Sequence, residues 1–201
     1  GRYDDAKKAL DEAVAVAREN KNDMYEAQAL TFEGERLSCQ GDVKGARALY
    51  EQAMPPALRS KDQETMLLAK LAVARWTVEN GNARSESSDL KRISQSADAQ
   101  GLSYISMRAS VLSAEASLKS KDFSSASTQA EAVRRASEKL GFLFINARAR
   151  YVQAEAMAAA GKSTEASQQY AQAKQILQDI GKESQSQSFM KRSDLQPMLA
   201  H

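Results

Sequence analysis

A six-residue pattern, Gly41-Asp42-Val43-Lys44-Gly45-Ala46, comes back along this chain at a fixed interval. It stands at Gly1-Arg2-Tyr3-Asp4-Asp5-Ala6, at Lys121-Asp122-Phe123-Ser124-Ser125-Ala126 and at Gly161-Lys162-Ser163-Thr164-Glu165-Ala166, with a weaker copy at Gly81-Asn82-Ala83-Arg84-Ser85-Glu86. The copies begin at residues 1, 41, 81, 121 and 161, so the period is 40 residues and no insertion breaks it. A period between about 20 and 50 residues marks a stacked repeat protein, in which one unit cannot bury its own apolar face and its neighbours must cover it. The 201 residues therefore read as one elongated domain whose core grows along its length.

Within each period the apolar residues have helical spacing. Ala6, Leu10, Ala13, Val14 and Ala17 recur every three or four residues opposite Lys7, Asp11 and Arg18, which predicts a helix over 3–20. Asn20 to Asp23 interrupts it, with Asp23 the expected cap of a second helix that carries Ala27, Leu30, Gly34 and Leu37 to a stop at Gly41. Two antiparallel helices make one unit. In the second unit Pro55-Pro56 predicts a kink or stop near Met54, and the partner helix runs from about Gln63 to Glu79. In the third, Glu86 takes the place of the recurring alanine and only Leu90, Ile93 and Ala97 mark an inner face, so this helix is expected to be the loosest. Ile105 to Ala116, Phe123 to Ser137, Phe144 to Met157 and Ala166 to Leu177, ending before Gly181, complete the pattern. The polar stretch 182–201 is expected to cap the array, with a short helix presenting one wet face.

Superposing the copies aligns Ala6, Ala46, Ala126 and Ala166, then Leu10, Tyr50, Leu90, Ala130 and Tyr170, then Ala13, Ala53, Ile93, Val133 and Ala173. Gly34, Ala74, Ala114 and Ala154 stand seven residues before each turn. Small residues at these places let helix axes approach closely. The set resembles the tetratricopeptide repeat over residues 1 to about 181: a small residue in the first helix, a Gly-Asp-Tyr-like turn, then alanine, a large apolar residue and a second small residue. The unit is six residues longer than the family's usual one and lacks its terminal proline, which points to the long-helix subset found in bacterial signalling proteins downstream of kinase, cyclase or ATPase modules. The resemblance implies an all-α, right-handed superhelix (an α-solenoid) of antiparallel helix pairs.

Chemistry finds little support in the composition. The single histidine is His201, the last residue, which leaves no histidine general base in the body of the chain. Cys39 is the only cysteine; it has no histidine partner in sequence, excludes an internal disulfide and fits a reducing, cytoplasmic compartment. Gly161-Lys162-Ser163 mimics the end of a phosphate loop, but Ala156 stands where the first glycine is needed. No metal-ligand spacing and no cofactor motif is present, so no catalytic residue is assigned. With 28 Lys and Arg against 26 Asp and Glu, the net charge of +2 and the few aromatics disfavour nucleic acid. No apolar run suggests a membrane span. The chain starts on Gly1 inside a repeat and is read as a fragment of something longer, with His201 attributed to a tag.

In the resembling family the first helix of each pair lines a concave groove. The groove positions carried over here are Gln28, Thr31 and Glu35, then Leu68, Leu71 and Arg75, then Arg108, Val111 and Glu115, then Arg148, Tyr151 and Glu155. Arg108 and Arg148 share one phase, and Glu35, Glu115 and Glu155 another that Arg75 interrupts, so the wall suits a ligand carrying both signs. The expectation is an interaction scaffold, not an enzyme, that takes a peptide or partner domain in the groove. The alternative is a metabolite-sensing region attached to a kinase, cyclase or ATPase. Trp76 reads as core, and Arg134-Arg135 as a solvated face.

Overall fold

The computed structural model describes residues 2–184 and 188–201. Gly1 of the opening turn and 185–187 of the C-terminal stretch lie outside the described residues. Among the described residues all regular structure is helical: α1 Tyr3–Glu19, α2 Asp23–Gln40, α3 Val43–Ser60, α4 Gln63–Asn80, α5 Ser87–Ala99, α6 Ser103–Lys119, α7 Phe123–Leu140, α8 Leu143–Ala159, α9 Ser163–Glu183 and a short α10 Gln196–Leu199. Three 3₁₀ turns, Ala83–Glu86, Phe189–Lys191 and Ser193–Leu195, complete the set. Among the described residues no helix is long and apolar enough to cross a membrane.

The forty-residue period resolves into a beat of twenty. Lys21, Gly41, Lys61, Gly101, Lys121, Gly141 and Gly161 all take positive φ, between 51° and 86°. The next residue, at 22, 42, 102, 122, 142 and 162, donates its N–H to the carbonyl five residues back, at 2.8 to 3.0 Å. That bond closes a Schellman end and satisfies a carbonyl the helix leaves open. The same residue then starts the next helix: the side chains of Asn22, Asp42, Asp62 and Asp122 each accept from the N–H three residues on, at 2.8 to 3.2 Å. Two residues thus end one helix and begin another. Asn22, and not Asp23, is the cap of α2; Asp23 is its first residue and pairs with Arg59 Nη2 at 2.6 Å.

Three local expectations fail for identifiable reasons. α3 runs through Pro55-Pro56 to Ser60 without stopping at Met54. The prolines deprive the carbonyls of Glu51 and Gln52 of donors, but both residues are exposed, so water replaces the lost bonds. The third unit breaks the beat at Gly81, whose φ of −130° is not left-handed. A carboxylate at Glu86 cannot enter the site filled by Ala46, Ala126 and Ala166, each at most 2 % exposed; the chain makes a 3₁₀ turn, buries Ala83 instead and starts α5 late. Gly181 lies inside α9, where a Cβ would press on Met190 Sδ at 3.1 Å.

Each helix packs on its chain neighbours, and α2, α4, α6 and α8 also touch in succession. The buried apolar side chains form clusters shared by consecutive helices. One joins Leu67, Leu71 and Val78 of α4 to Leu90 and Ile93 of α5 and Ile105 and Leu112 of α6. Burying a side chain such as Leu90 contributes about 1.5–3 kcal/mol. Alanines do the rest: Ala74, Ala114 and Ala154 are buried at the phase of Gly34, where a Cβ would stand 2.6 Å from Tyr50 Cδ1. Trp76 is half-buried; its Nε1 donates to the Val43 carbonyl (3.0 Å) under the Arg47 guanidinium, a strut between α3 and α4. Leu195 and Met198 bury against Ala147 and Leu177, on the face of the last helix pair.

Candidate ligand cleft

α2, α4, α6 and α8, the helices whose phases coincide at 40-residue spacing, border one cavity of about 330 Å³ that α9 and the 189–195 stretch help to enclose. Glu35, Leu71, Arg75, Arg108, Val111 and Arg148 line it together. Glu115 stands behind Arg148 and takes two hydrogen bonds from it, both at 2.8 Å. Tyr151 and Glu155 lie further along, where Tyr170 Oη donates to Glu155 at 2.7 Å and His201 stacks on Tyr170 with ring centroids 3.8 Å apart. His201 is thus packed against α9, in a way its attribution to a tag does not anticipate.

Gln28, Thr31 and Leu68 do not join this set. Thr31 is buried and turns its hydroxyl back on the Ala27 carbonyl; Leu68 packs into the α4–α6 core; Gln28 donates to Thr65 Oγ1 across the α2–α4 contact. Helix-to-helix contact takes up Thr31 and Leu68, while Gln28, tied to Thr65, borders a separate hollow on α1 and α2. A second apolar hollow of about 510 Å³ lies on α1 and α2 around Leu10, Val16, Tyr25 and Phe32. At forty-residue spacing these answer to Tyr50, Pro56, Thr65 and Ala72, all buried against other helices, so this hollow is an end face of the array.

The charged groups that line the cleft are all paired. Arg108 meets Glu35; Arg75 Nε donates to Glu79 (2.8 Å) and its Nη2 to Asp194 (3.2 Å); Arg148 serves Glu115; Arg192 holds Asp194 at 2.7 Å. Burial works against the Asp194 carboxylate, but the hydrogen bond and charge of Arg192, with Arg75 and Arg148 beyond, hold its pKa below the usual range. Burial likewise opposes the Arg75 guanidinium, and Glu79 and Asp194 together keep it firmly protonated. Burial pushes the Cys39 thiol up, which makes it a poor nucleophile.

Four further groups line the cleft beyond the positions carried over from the repeat. Tyr104 and Phe144 form an aromatic wall at one phase, forty residues apart; Phe189 and Arg192 arrive from the C-terminal stretch, with the Arg192 guanidinium 5.0 Å from the Phe144 ring centre. The shared phase of Tyr104 and Phe144 was available in the sequence. Away from the cleft, Arg135 is exposed as expected, but Arg134 is half-buried and donates to Glu131 at 2.9 and 3.0 Å. Those bonds, against burial and with help from Arg135 and Gln153, bring the Glu131 carboxyl down to about 2.

Among the described residues no group of three or more His, Cys, Asp or Glu is placed to hold a metal ion. Comparison with protein-family models and with curated proteins finds no match.

Proposed function

We propose that this chain is a tetratricopeptide-like array, a right-handed superhelix of antiparallel helix pairs, that binds a polypeptide segment in the cleft between α2, α4, α6 and α8. The observation that carries this reading is the convergence of equally phased charges, Arg108 with Arg148 and Glu35 with Arg75, on one cavity with aromatic walls. Paired arginine and carboxylate groups at regular spacing recognise main-chain oxygens and charged side chains of an extended ligand. The chain works by presenting surface, without making or breaking bonds, and serves as a regulatory region of a bacterial signalling protein in the cytoplasm.

The test is a selection of displayed random peptides on the full chain. Selected peptides are expected to lose at least tenfold in affinity when Arg108 and Arg148 are both replaced by alanine, with helicity retained. Equal binding by the double variant refutes the assignment. A metabolite-sensing role ranks second, favoured by the enclosure of the cavity. It is weakened by the pairing of every arginine that lines it, which leaves no bare cation for a small anion. A thermal-shift screen of carboxylate and phosphate metabolites, with a rise in Tm that the same double variant abolishes, would reverse the order.

A further inference from the structure

The cleft already holds a polypeptide. The stretch from residue 188 reaches α2, where Ser193 Oγ donates to the Ser38 and Cys39 carbonyls in the last turn at 2.8 and 3.2 Å. Asp194, 119 residues from Arg75 in sequence, completes that arginine's pairing and is almost wholly buried. Leu195 is 0 % exposed and Met198 4 %. The chain then returns to α9, where Lys174 Nζ donates to the His201 carbonyl at 2.7 Å.

A simple end cap needs only Leu195 and Met198. The contacts of Arg192, Ser193 and Asp194 are of another kind: a charge exchanged with a buried arginine, a guanidinium laid on Phe144, and a hydroxyl on the last-turn carbonyls of α2. They are contacts that a bound peptide makes. The stretch also brings one cation and one anion to a cleft whose own charges balance, Arg75, Arg108 and Arg148 against Glu35, Glu79 and Glu115.

We propose that residues 188–201 are an intramolecular ligand of the cleft, and that the partner is a polypeptide segment of the same chemistry. That segment carries arginine, then aspartate two residues on, leucine directly after it and an apolar residue three further, as in Arg192, Asp194, Leu195 and Met198. It enters only when the chain's own segment leaves. This deepens the cleft reading above and rests on it. A segment tied by a short link competes at an effective concentration of about 1 mM. With an intrinsic Kd of about 10 µM for the chain's own segment, a partner binds the closed chain about a hundredfold more weakly than the open one.

The experiment uses the full chain, a fluorescein-labelled peptide with the sequence of residues 188–201, and Cys39 as reporter, since Ser193 sits on its carbonyl. Leu195→Asp removes the buried anchor, and Asp194→Ala serves as the second variant should the first lose helicity. The peptide is expected to bind the opened variant about a hundredfold more tightly than the parent chain, and a peptide carrying Asp194→Lys to bind neither. Cys39 is expected to react with a maleimide at least tenfold faster in the variant than in the parent. Equal peptide affinity for parent and variant, or equal Cys39 rates, overturns the proposal. If this peptide fails while library-selected peptides still depend on Arg108 and Arg148, the intramolecular ligand is wrong and the cleft stands. If both fail, the cleft reading falls too.

Discussion

Replacing Gly34 by alanine should destabilise this protein, although alanine is the better helix former, and the sign should reverse when Tyr50 is made smaller. Gly34 lies in α2 facing the fully buried Tyr50 ring of α3, and a Cβ there would sit 2.6 Å from Cδ1, inside any allowed contact. Overpacking costs about 1–3 kcal/mol, and an approach this short to two ring carbons belongs in the upper part of that range, at about 2–3 kcal/mol. Against it, Gly→Ala in a helix interior returns about 1 kcal/mol. The net expectation for Gly34→Ala is a loss of about 1–2 kcal/mol, or a fall in Tm of about 2–8 °C for a chain of this size.

The repeat supplies its own control. The pair Gly34 and Tyr50 recurs forty residues on as Ala74 and Leu90, both buried. The second copy thus holds a medium-with-medium pair where the first holds a small-with-large one. In a Tyr50→Leu background, Gly34→Ala should therefore stabilise by up to about 1 kcal/mol, since only the propensity gain is left. Urea titrations of the four chains followed by circular dichroism give the coupling energy, expected at about 2 kcal/mol. A Gly34→Ala chain as stable as the parent, or additivity across the cycle, would refute the claim that the α2–α3 approach is set by the missing Cβ.

Other expectations follow from single sites. Pro55 is exposed in the middle of α3, and Pro55→Ala should raise stability by about 1–3 kcal/mol, read as a higher urea midpoint. Glu86→Ala should lengthen α5 toward residue 83 and stabilise by about 1 kcal/mol at neutral pH, seen as new amide protection over 83–88. Burial and the neighbouring Asp89 raise the Glu86 pKa, so its ionised form burdens the fold and this gain should fade as acid protonates the parent. The Glu131 carboxyl, lowered to about 2 chiefly by Arg134, has the opposite sign. It stabilises above its unfolded pKa of about 4.3 and ceases to as pH falls toward 2, so Glu131→Gln should flatten the acid-unfolding curve in that window.

The helices were legible because their signal is local. Ala126, Ala130 and Val133, or Ile105, Ala109 and Leu112, announce a buried face by spacing alone, and the structure buries all six. The half-period was less legible. Gly41 and Gly141 advertise a left-handed residue, but Lys21, Lys61 and Lys121 take the same conformation, imposed at Lys21 and Lys121 by the Schellman bond and at all three by the cap that follows. Nothing in a lysine reports that. The cleft was half legible: Arg108, Arg148, Glu35 and Arg75 keep their phase, so a position carried from copy to copy finds them. Asp194 could not be found this way, since it belongs to no copy and reaches Arg75 across 119 residues. Thr31 and Leu68 were lost for the converse reason, since phase fixes the side of a helix and not whether a neighbour covers it.

Under the proposed function, the pairing in the cleft limits what a ligand can be. Each arginine is already matched, and taking one carboxylate from a buried pair without replacing it leaves an uncompensated charge, at a cost of about 3–5 kcal/mol. A neutral apolar segment that displaced Asp194 would strand part of Arg75's pairing, and a purely acidic one would add charge without a partner. A segment that hands Arg75 a new aspartate while withdrawing the old one leaves the count unchanged. Such an exchange is nearly balanced in electrostatic energy, so apolar anchors at the places of Leu195 and Met198 decide which segment is bound. The charges then act as a filter on sequence and the apolar residues as the source of affinity. On this logic, lengthening the link before residue 188 lowers the effective concentration of the chain's own segment and should favour a partner in proportion, without touching a single contact in the cleft.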